Sequence, residues 1–294
     1  MAQPFSTQAI EQKSPMFVSL GMIVLDELHF SSQTARYDVP GGSGLYERIF
    51  RYLTPQLQPR PVDLEKSELL GSQSFHFLAG PELLQEMVRS LLSLLTDASR
   101  NTRPLIVWEP APLSCKRELL DEHMQACRLV DIFSPNHEEL KALMQDGEPE
   151  RSLPFLREDV ERGAASFLDA GIGPEKQGLV VIRCGEHGCL TLSQRTGVNW
   201  SPPFYEPASP RIADTTGAGN AFLGGFAVGW LQTEDVREAA IFGSVAASFA
   251  LEQIGLPVFS PATSTSDETW NEVHVSARLE EYRRKLPAVR GGTV

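Results

Sequence analysis

The segment with the clearest potential for chemistry is a glycine-rich turn at the start of an apolar helix. Residues 212–222 read Ile-Ala-Asp-Thr-Thr-Gly-Ala-Gly-Asn-Ala-Phe, and an apolar run typical of a buried helix follows. Small residues at a helix amino terminus let a ligand approach the backbone, whose free N–H groups and helix dipole favour an anion. The spacing therefore predicts a phosphate or oxyanion cradle at Gly217, Ala218 and Gly219. The alternative interpretation is a glycine-rich helix start that serves packing alone.

The elements that must position this turn alternate between strands and helices. Apolar runs predict strands at 16–25, 74–78, 105–108, 129–133, 179–183 and 189–192. Helical spacing of apolar residues predicts helices at 83–95, 117–127, 160–170, 217–231, 236–253 and 276–285, with one more that starts at Asn136. Such alternation is typical of an α/β domain with a mostly parallel sheet covered on both faces. Ligands of these folds bind beyond the carboxyl ends of the strands.

The charge balance limits the classes of partner. The chain has 294 residues, with 26 basic and 38 acidic side chains and a formal net charge of -12. A surface of this sign argues against nonspecific binding to nucleic acid or to an anionic membrane, since both attract cations. The longest apolar stretch, at 221–231, is too short to span a bilayer, and residues 1–15 lack the features of a secretory signal. We therefore expect a cytoplasmic protein that binds neither nucleic acid nor membrane.

The cysteines and histidines predict no metal centre. No two of the four cysteines have CxxC spacing, and the six histidines show no spacing typical of metal ligands. A core of this size does not need disulfides, so we expect reduced thiols at Cys115, Cys127, Cys184 and Cys189.

The glycine-rich turn resembles a family signature. Residues 214–222, DTTGAGNAF, are similar to the DTxGAGD-x-F motif of the pfkB (ribokinase-like) carbohydrate kinases. The resemblance implies a three-layer α/β/α sandwich that uses ATP and Mg²⁺ to phosphorylate a hydroxyl of a sugar- or nucleoside-like small molecule. In the family the turn, here Gly217 to Gly219, is the anion hole for the transferred phosphoryl group. The final Asp of the motif is the catalytic base, and Asn220 stands at that position.

Two further stretches resemble family motifs on the nucleotide side. Asn136 and Glu139 match the N-x-x-E motif, in which the Glu organises Mg²⁺ through water; a simple helix cap is the alternative. Arg183, Gly185 and Gly188 resemble the T-x-G-x-x-G turn that lines the nucleotide site, with Arg in place of Thr.

Other nucleotide-side positions follow from the same resemblance. Asp214 and Thr215 are the first residues of the signature. We expect Asp214 to have a structural or Mg²⁺-linked role in preference to that of a substitute base. The helix that contains Ala246 and Phe249 would pack beside the nucleotide base.

The acceptor side resembles the family in the first part of the chain. Asp26 matches the Asp that ends the first strand and binds sugar hydroxyls. Gly41, Gly42 and Gly44 match the GG-x-G turn that lines the acceptor pocket. An exposed turn Asp and a simple loop cluster of glycines are the alternatives.

One departure from the family concerns the base. An amide accepts no proton at neutral pH, so Asn220 cannot act as a general base. Positioning and phosphate stabilisation can survive this loss, which leaves three hypotheses: a slow kinase, a nearly inactive kinase-fold protein that binds nucleotide or scaffolds a partner, and slow nucleotide hydrolysis. The Asn and the Phe-Leu-Gly-Gly after Ala221 most resemble a fungal branch related to the maintenance-of-killer proteins.

A second departure concerns the domain organisation. We expect one ribokinase-like domain over 15–285, with disordered ends at 1–14 and 286–294. The stretch at 46–51 is much shorter than the family places there, which predicts a lid that is reduced or missing. A variant transcript, a misplaced exon boundary or a minimised lid would each produce this gap. The oligomeric state stays open.

Overall fold

The computed structural model describes residues 16–20, 24–28, 36–41, 58–98, 102–145, 154–263 and 267–286. Its strands are β1 (Phe17–Ser19), β2 (Val24–Leu28), β3 (Arg36–Gly41), β4 (Ser74–Ala79), β5 (Leu105–Pro110), β6 (Ile132–Phe133), β7 (Leu179–Arg183), β8 (Cys189–Ser193), β9 (Gly197–Ser201), β10 (Phe259–Ser260) and β11 (Thr269–Trp270). Its α-helices are α1 (Pro81–Asp97), α2 (Leu120–Cys127), α3 (His137–Met144), α4 (Arg157–Ala170), α5 (Ala218–Thr233), α6 (Val236–Leu251) and α7 (Val275–Lys285). The predicted disorder of 1–14 and of 287–294, the short stretch at 46–51, and Gly42 and Gly44 lie outside the described residues.

A seven-stranded sheet forms the centre of the fold. Its order is β1-β4-β5-β6-β7-β8-β9, with parallel pairing from β1 to β7 and antiparallel pairing of β7 with β8 and of β8 with β9. The parallel strands follow one another in a single direction across the sheet, so right-handed crossovers place the helices between them on one face. The expected mostly parallel α/β fold is confirmed.

Alternation along the strands divides the core between the two faces. In β5, Ile106 and Trp108 pack in a cluster with α1, α2, α3 and α4, whereas Val107 packs with α5 and α6. In β7 the same alternation sends Val180 to the first cluster and Val181 to the second. Because successive side chains of a strand point to opposite faces, an apolar run with both sets buried requires helices on both sides. This is the three-layer α/β/α sandwich.

Close contact between α5 and α6 depends on glycine. A Cβ added at Gly225 of α5 would lie 2.6 Å from the carbonyl oxygen of Phe242 in α6, a distance that forces the helices apart. The amino terminus of α5 lies at the carboxyl end of β7, since a Cβ at Gly219 would be 2.5 Å from Nη1 of Arg183. None of the helices in the described ranges combines the length and the apolarity needed to cross a membrane.

The first predicted strand was wrong at its carboxyl end. The apolar run at 16–25 is divided, because β1 pairs with β4 in the main sheet whereas β2 pairs with β3 in a separate antiparallel sheet. The strand β3 was not predicted, and Asp26 lies within β2, opposite Val39, where we had expected a polar loop. Apolar patterning identifies a strand but not the sheet that it joins. Among the described residues no second sheet exceeds two strands, and the reduced lid stays a prediction.

The remaining predicted elements are observed with shifts of a few residues at their ends. The strand predicted at 129–133 shortens to β6, and the hairpin β7–β8 continues into β9, which was not predicted. The short pair β10 and β11 was also missed. The sequence of β9 contains Gly197 and Asn199, which have low strand propensity, so its pairing with β8 decides its conformation.

Candidate functional site

A cavity of about 550 Å³ lies between the amino terminus of α5 and the carboxyl ends of β5 and β7. Its charged and amide walls include Arg183, Asn136 and Asn220, together with three carboxylates, Glu109, Glu138 and Glu186. Apolar walls are contributed by Phe204, Tyr205, Phe222, Ala247 and Leu251. An apolar region beside a charged end suits a ligand with a planar base at one end and anionic groups at the other.

The glycine-rich turn forms one end of the cavity. Gly217 is the N-cap of α5 and adopts the left-handed conformation, with φ of 78°, which other residues reach only with strain. Gly217, Ala218, Gly219 and Asn220 all line the cavity, and so does Thr215. The first N–H groups of a helix have no partner inside it, and α5 is sixteen residues long, so its dipole adds to their attraction for an anion. The turn has the chemistry predicted for an anion cradle, although the N–H of Ala218 already donates to the carbonyl oxygen of Thr215 at 3.3 Å.

Asp214 supports the turn from behind. Its Oδ1 accepts hydrogen bonds from the backbone N–H of Thr216 at 3.0 Å and from the Thr216 hydroxyl at 2.8 Å. The backbone N–H of Ala213 donates to the carbonyl oxygen of Leu251 at 2.8 Å, which ties this segment to the end of α6. Asp214 is not among the cavity-lining residues, so its observed role is to shape the turn.

Arg183 crosses the floor of the cavity from the end of β7. Its Nη1 lies 2.7 Å from Oε1 of Glu109, and its Nη2 donates to the carbonyl oxygen of Ser134 at 3.0 Å. The side chains of Arg183 and Glu109 are 11% and 5% exposed, so this ion pair is nearly dry. The guanidinium lies directly against the turn, since a Cβ added at Gly219 would be 2.5 Å from the same Nη1.

Glu109 connects the cavity to a buried histidine. Its Oε2 lies 3.2 Å from Nε2 of His76, whose Nδ1 is 2.9 Å from the hydroxyl of Ser19. Burial alone would raise the pKa of Glu109, but the adjacent Arg183 and His76 lower this pKa to about 2. Glu109 is therefore ionised at neutral pH and is a poor proton acceptor.

Asn136 and Glu139 form a capping box at the start of α3. The backbone N–H of Glu139 donates to Oδ1 of Asn136 at 2.8 Å, and the backbone N–H of Asn136 donates to Oε2 of Glu139 at 2.8 Å. The alternative that this motif is a helix cap is therefore observed. The other oxygen of Glu139, Oε1, is buried and has no hydrogen-bond partner among the described residues. Burial raises the pKa of Glu139 to about 7, although Arg183, whose Nη2 is 3.7 Å away, acts against it.

The turn after β7 also lines the cavity. Gly185 and Gly188 both line the cavity and both have positive φ. A Cβ at Gly188 would overlap the carbonyl oxygen of Ser201, so only glycine fits there. Backbone pairing of Asn136 with Arg183 places this turn beside the start of α3.

Two residues expected beside the base do not face the cavity. Phe249 is 5% exposed and packs under the guanidinium of Arg278, 3.9 Å from its ring centroid. Ala246 points toward α5, since a Cβ added at Gly225 of α5 would lie 2.7 Å from the Cβ of Ala246. Their helix, α6, does line the cavity, through Ser244, Ala247 and Leu251. The prediction identified the helix but missed its face.

The acceptor-side residues are described only in part. Asp26 lies in β2, and Gly41 ends β3 opposite Val24. Gly42 and Gly44 fall outside the described residues. The acceptor pocket therefore stays a prediction.

Glu109 and His76 were missed by the sequence analysis. The predicted strand at 105–108 ended one residue before Glu109, although β5 continues to Pro110. An acidic side chain at the carboxyl end of a parallel strand was the available signal, because ligands of this fold class bind there.

The donor set bears on whether Mg²⁺ fits. Within the described ranges no group of three or more His, Cys, Asp or Glu side chains could hold a metal ion. Mg²⁺ in phosphotransferases is commonly held by phosphates, waters and one or two carboxylates. The buried, unbonded Oε1 of Glu139 is a candidate for such an outer carboxylate, although Glu139 itself is not among the residues that line the cavity.

The sequence also matches a family model. The model for the pfkB family carbohydrate kinases matches residues 47–262. The chain belongs to the pfkB carbohydrate kinase family. Signature, fold and match agree on this assignment.

Fungal relatives confirm the branch that the Asn-containing signature suggested. The chain is 31% identical to an uncharacterized protein of Schizosaccharomyces pombe over 80% of its own length and 66% of that protein. It is 29% identical to protein MAK32 of Saccharomyces cerevisiae over 80% of its length and 64% of that protein. The chain thus spans somewhat less than two thirds of the length of these relatives.

A solved structure supports the ribokinase-like fold. The ribokinase of Arabidopsis thaliana, determined in complex with ribose and ATP, superposes with a TM-score of 0.51 at 16% identity. The match covers 83% of this chain and 94% of the ribokinase. At this level of identity the likeness concerns the fold alone.

Proposed function

We propose that this chain is a pfkB-family phosphotransferase that uses ATP and Mg²⁺ to phosphorylate a hydroxyl of a sugar- or nucleoside-like small molecule. The observation that carries the proposal is the turn from Gly217 to Asn220, which combines a left-handed glycine N-cap, a sixteen-residue helix and a 550 Å³ cavity. The ribokinase that shares its fold was solved with ribose and ATP.

Each wall of the cavity has a part in this proposal. The N–H groups of Gly217 to Gly219 would bind the transferred phosphoryl group, and the apolar wall at Phe204 and Leu251 would contact the nucleotide base. The free oxygen of Glu139 would hold Mg²⁺ through water. Bound Mg²⁺ would supply charge neutralisation of the phosphates. Asp26, Gly41, Gly42 and Gly44 remain the proposed acceptor residues.

Asn220 sets the proposed rate. Its amide can orient an acceptor hydroxyl by a hydrogen bond, but it cannot take the proton. Loss of a general base costs on the order of 10²- to 10⁴-fold in rate. We therefore propose a slow enzyme, in which positioning and charge stabilisation supply most of the catalysis.

A second candidate function is nucleotide binding with almost no turnover, as a sensor or scaffold. The same amide at the base position favours it, together with the ion pair of Arg183 and Glu109 that already fills part of the cavity floor. For either function we propose a cytoplasmic location, since the four cysteines are buried and unpaired.

Asn220→Asp separates the two candidates. We expect the substitution to raise kcat for phosphorylation by about 10²- to 10⁴-fold and to change ATP affinity by less than about 3-fold. The assay is ADP release with a panel of sugars and nucleosides. The matched control is Asn199→Asp in β9, which adds the same charge outside the cavity. No turnover by either protein with any acceptor would favour the binding function.

A further inference from the structure

The guanidinium of Arg183 fills the space directly against the glycine turn. A Cβ at Gly219 would lie 2.5 Å from Nη1 of Arg183, closer than any stable contact. The arginine also lines the cavity, with its side chain 11% exposed. The cation is thus placed at the same wall as the N–H groups of α5.

A guanidinium beside a helix amino terminus is electrostatically unfavourable unless anions lie next to it. The amino terminus of α5 carries the positive end of a helix dipole, which repels a guanidinium. Glu109 at 2.7 Å and Glu139 at 3.7 Å balance the charge of Arg183 from the ends of β5 and α3. These carboxylates explain how the cation is tolerated in a buried site, but they do not explain its contact with a helix amino terminus.

The guanidinium has hydrogen-bonding capacity to spare. Nη1 contacts Glu109, and Nη2 donates to the carbonyl oxygen of Ser134 at 3.0 Å. Nε of Arg183 is buried and has no hydrogen-bond partner among the described residues. A guanidinium presents five N–H donors in a planar fork that matches the oxygens of a phosphate.

We infer that Arg183 contacts the terminal phosphate of a nucleoside triphosphate at this site and stabilises the charge of the phosphoryl group during transfer. This inference rests on the proposed function. Arg183 stands where the family motif has a neutral Thr, and Asn220 stands where it has an anionic Asp, so both departures make the turn more positive. Glu109 is a positioning residue, because it acts through the guanidinium that it holds.

The test compares nucleotides that differ only in the terminal phosphate. Binding of ATP and of ADP, each with excess Mg²⁺, is measured by isothermal titration for the wild type, Arg183→Met and Arg183→Lys. We expect Arg183→Met to weaken ATP binding about 10- to 100-fold and ADP binding less than about 3-fold. Arg183→Lys should give an intermediate loss, because it keeps the charge without the fork. The control is Arg89→Met, which removes an arginine that contacts Gln85 on the surface of α1.

Each outcome decides the inference. An ATP-to-ADP affinity ratio in Arg183→Met equal to that of the wild type overturns it and leaves the proposed function standing. If the wild type binds neither nucleotide, the proposed function fails and the inference falls with it. Thermal denaturation shows whether Arg183→Met folds; if it does not, Arg183→Lys decides, and an unchanged ratio there overturns the inference.

Discussion

Replacement of Gly219 by alanine tests the contact between the turn and the arginine. The added methyl group would start 2.5 Å from Nη1 of Arg183, so the guanidinium, which ends a flexible side chain, must shift and strain its 2.7 Å contact with Glu109. Breaking a buried ion pair costs about 3 to 5 kcal/mol, and the gain from Ala over Gly in a helix is about 0.5 to 1 kcal/mol. We therefore expect Gly219→Ala to lower the free energy of unfolding by up to about 4 kcal/mol, the limit in which the ion pair breaks completely.

Two measurements follow from this substitution. A loss of about 4 kcal/mol corresponds to a fall in Tm of roughly 7 °C for a domain of this size. The heat stabilisation by ATP should also disappear, because the cation and the turn are both displaced. Differential scanning fluorimetry, with and without ATP and Mg²⁺, gives both quantities.

The same helix offers a control of opposite sign. A Cβ at Gly224 would meet only Cε1 of Phe17, at 3.7 Å, which is an ordinary van der Waals contact. Gly224→Ala should therefore stabilise the protein by about 0.5 to 1 kcal/mol and leave ATP binding intact.

A second background identifies the cause of the loss. With Arg183→Thr already present the methyl group of Gly219→Ala has room, so the additional destabilisation should fall below about 0.5 kcal/mol. Equal losses in both backgrounds, or a Gly219→Ala protein as stable as the wild type, would refute the assigned contact.

Three further predictions concern the charges and the turn. Binding of Mg²⁺ and ATP favours ionised Glu139, whose pKa is raised to about 7, so binding at pH 7 should release about half a proton. Calorimetry in buffers of different ionisation enthalpy measures this release, and Glu139→Gln should abolish it. The pKa of Glu109 is lowered to about 2 from 4.5, so its stabilising contribution is present above pH 4.5 and lost as pH falls toward 2; urea unfolding of Glu109→Gln should lack this acid-dependent loss. Gly217→Ala and Gly197→Ala place a methyl group in open space at φ of 78° and 65°, so each should cost about 1 kcal/mol, but only Gly217→Ala should weaken ATP binding.

Elements with a clear local sequence signal could be predicted from the sequence alone. The amphipathic helix α1 could be located from its helical period, β4 from a short continuous apolar run, and α5 from the glycine-rich start of a longer one. The glycine-rich turn could be located because its positive φ at position 217 requires glycine, which the sequence shows directly.

Contacts between distant parts of the chain could not be predicted in this way. The pairing of Arg183 with Glu109 depends on β5 and β7 ending at the same edge of the sheet, and no local pattern records it. The face of α6 that lines the cavity was also missed. This helix is apolar on most sides, so its sequence does not indicate that Ala247 rather than Ala246 faces the cavity. The pairing of β2 with β3 was not predicted either, because tertiary contacts decide which strands pair.

The most direct test of the proposed function is isothermal titration of the chain with ATP, in the presence and absence of Mg²⁺. A turn that holds phosphates, with Glu139 as the outer carboxylate for Mg²⁺, predicts micromolar binding that weakens at least tenfold, or about 1.4 kcal/mol, when Mg²⁺ is removed. Absence of ATP binding under both conditions would contradict the account and would leave the signature as a structural feature of the fold.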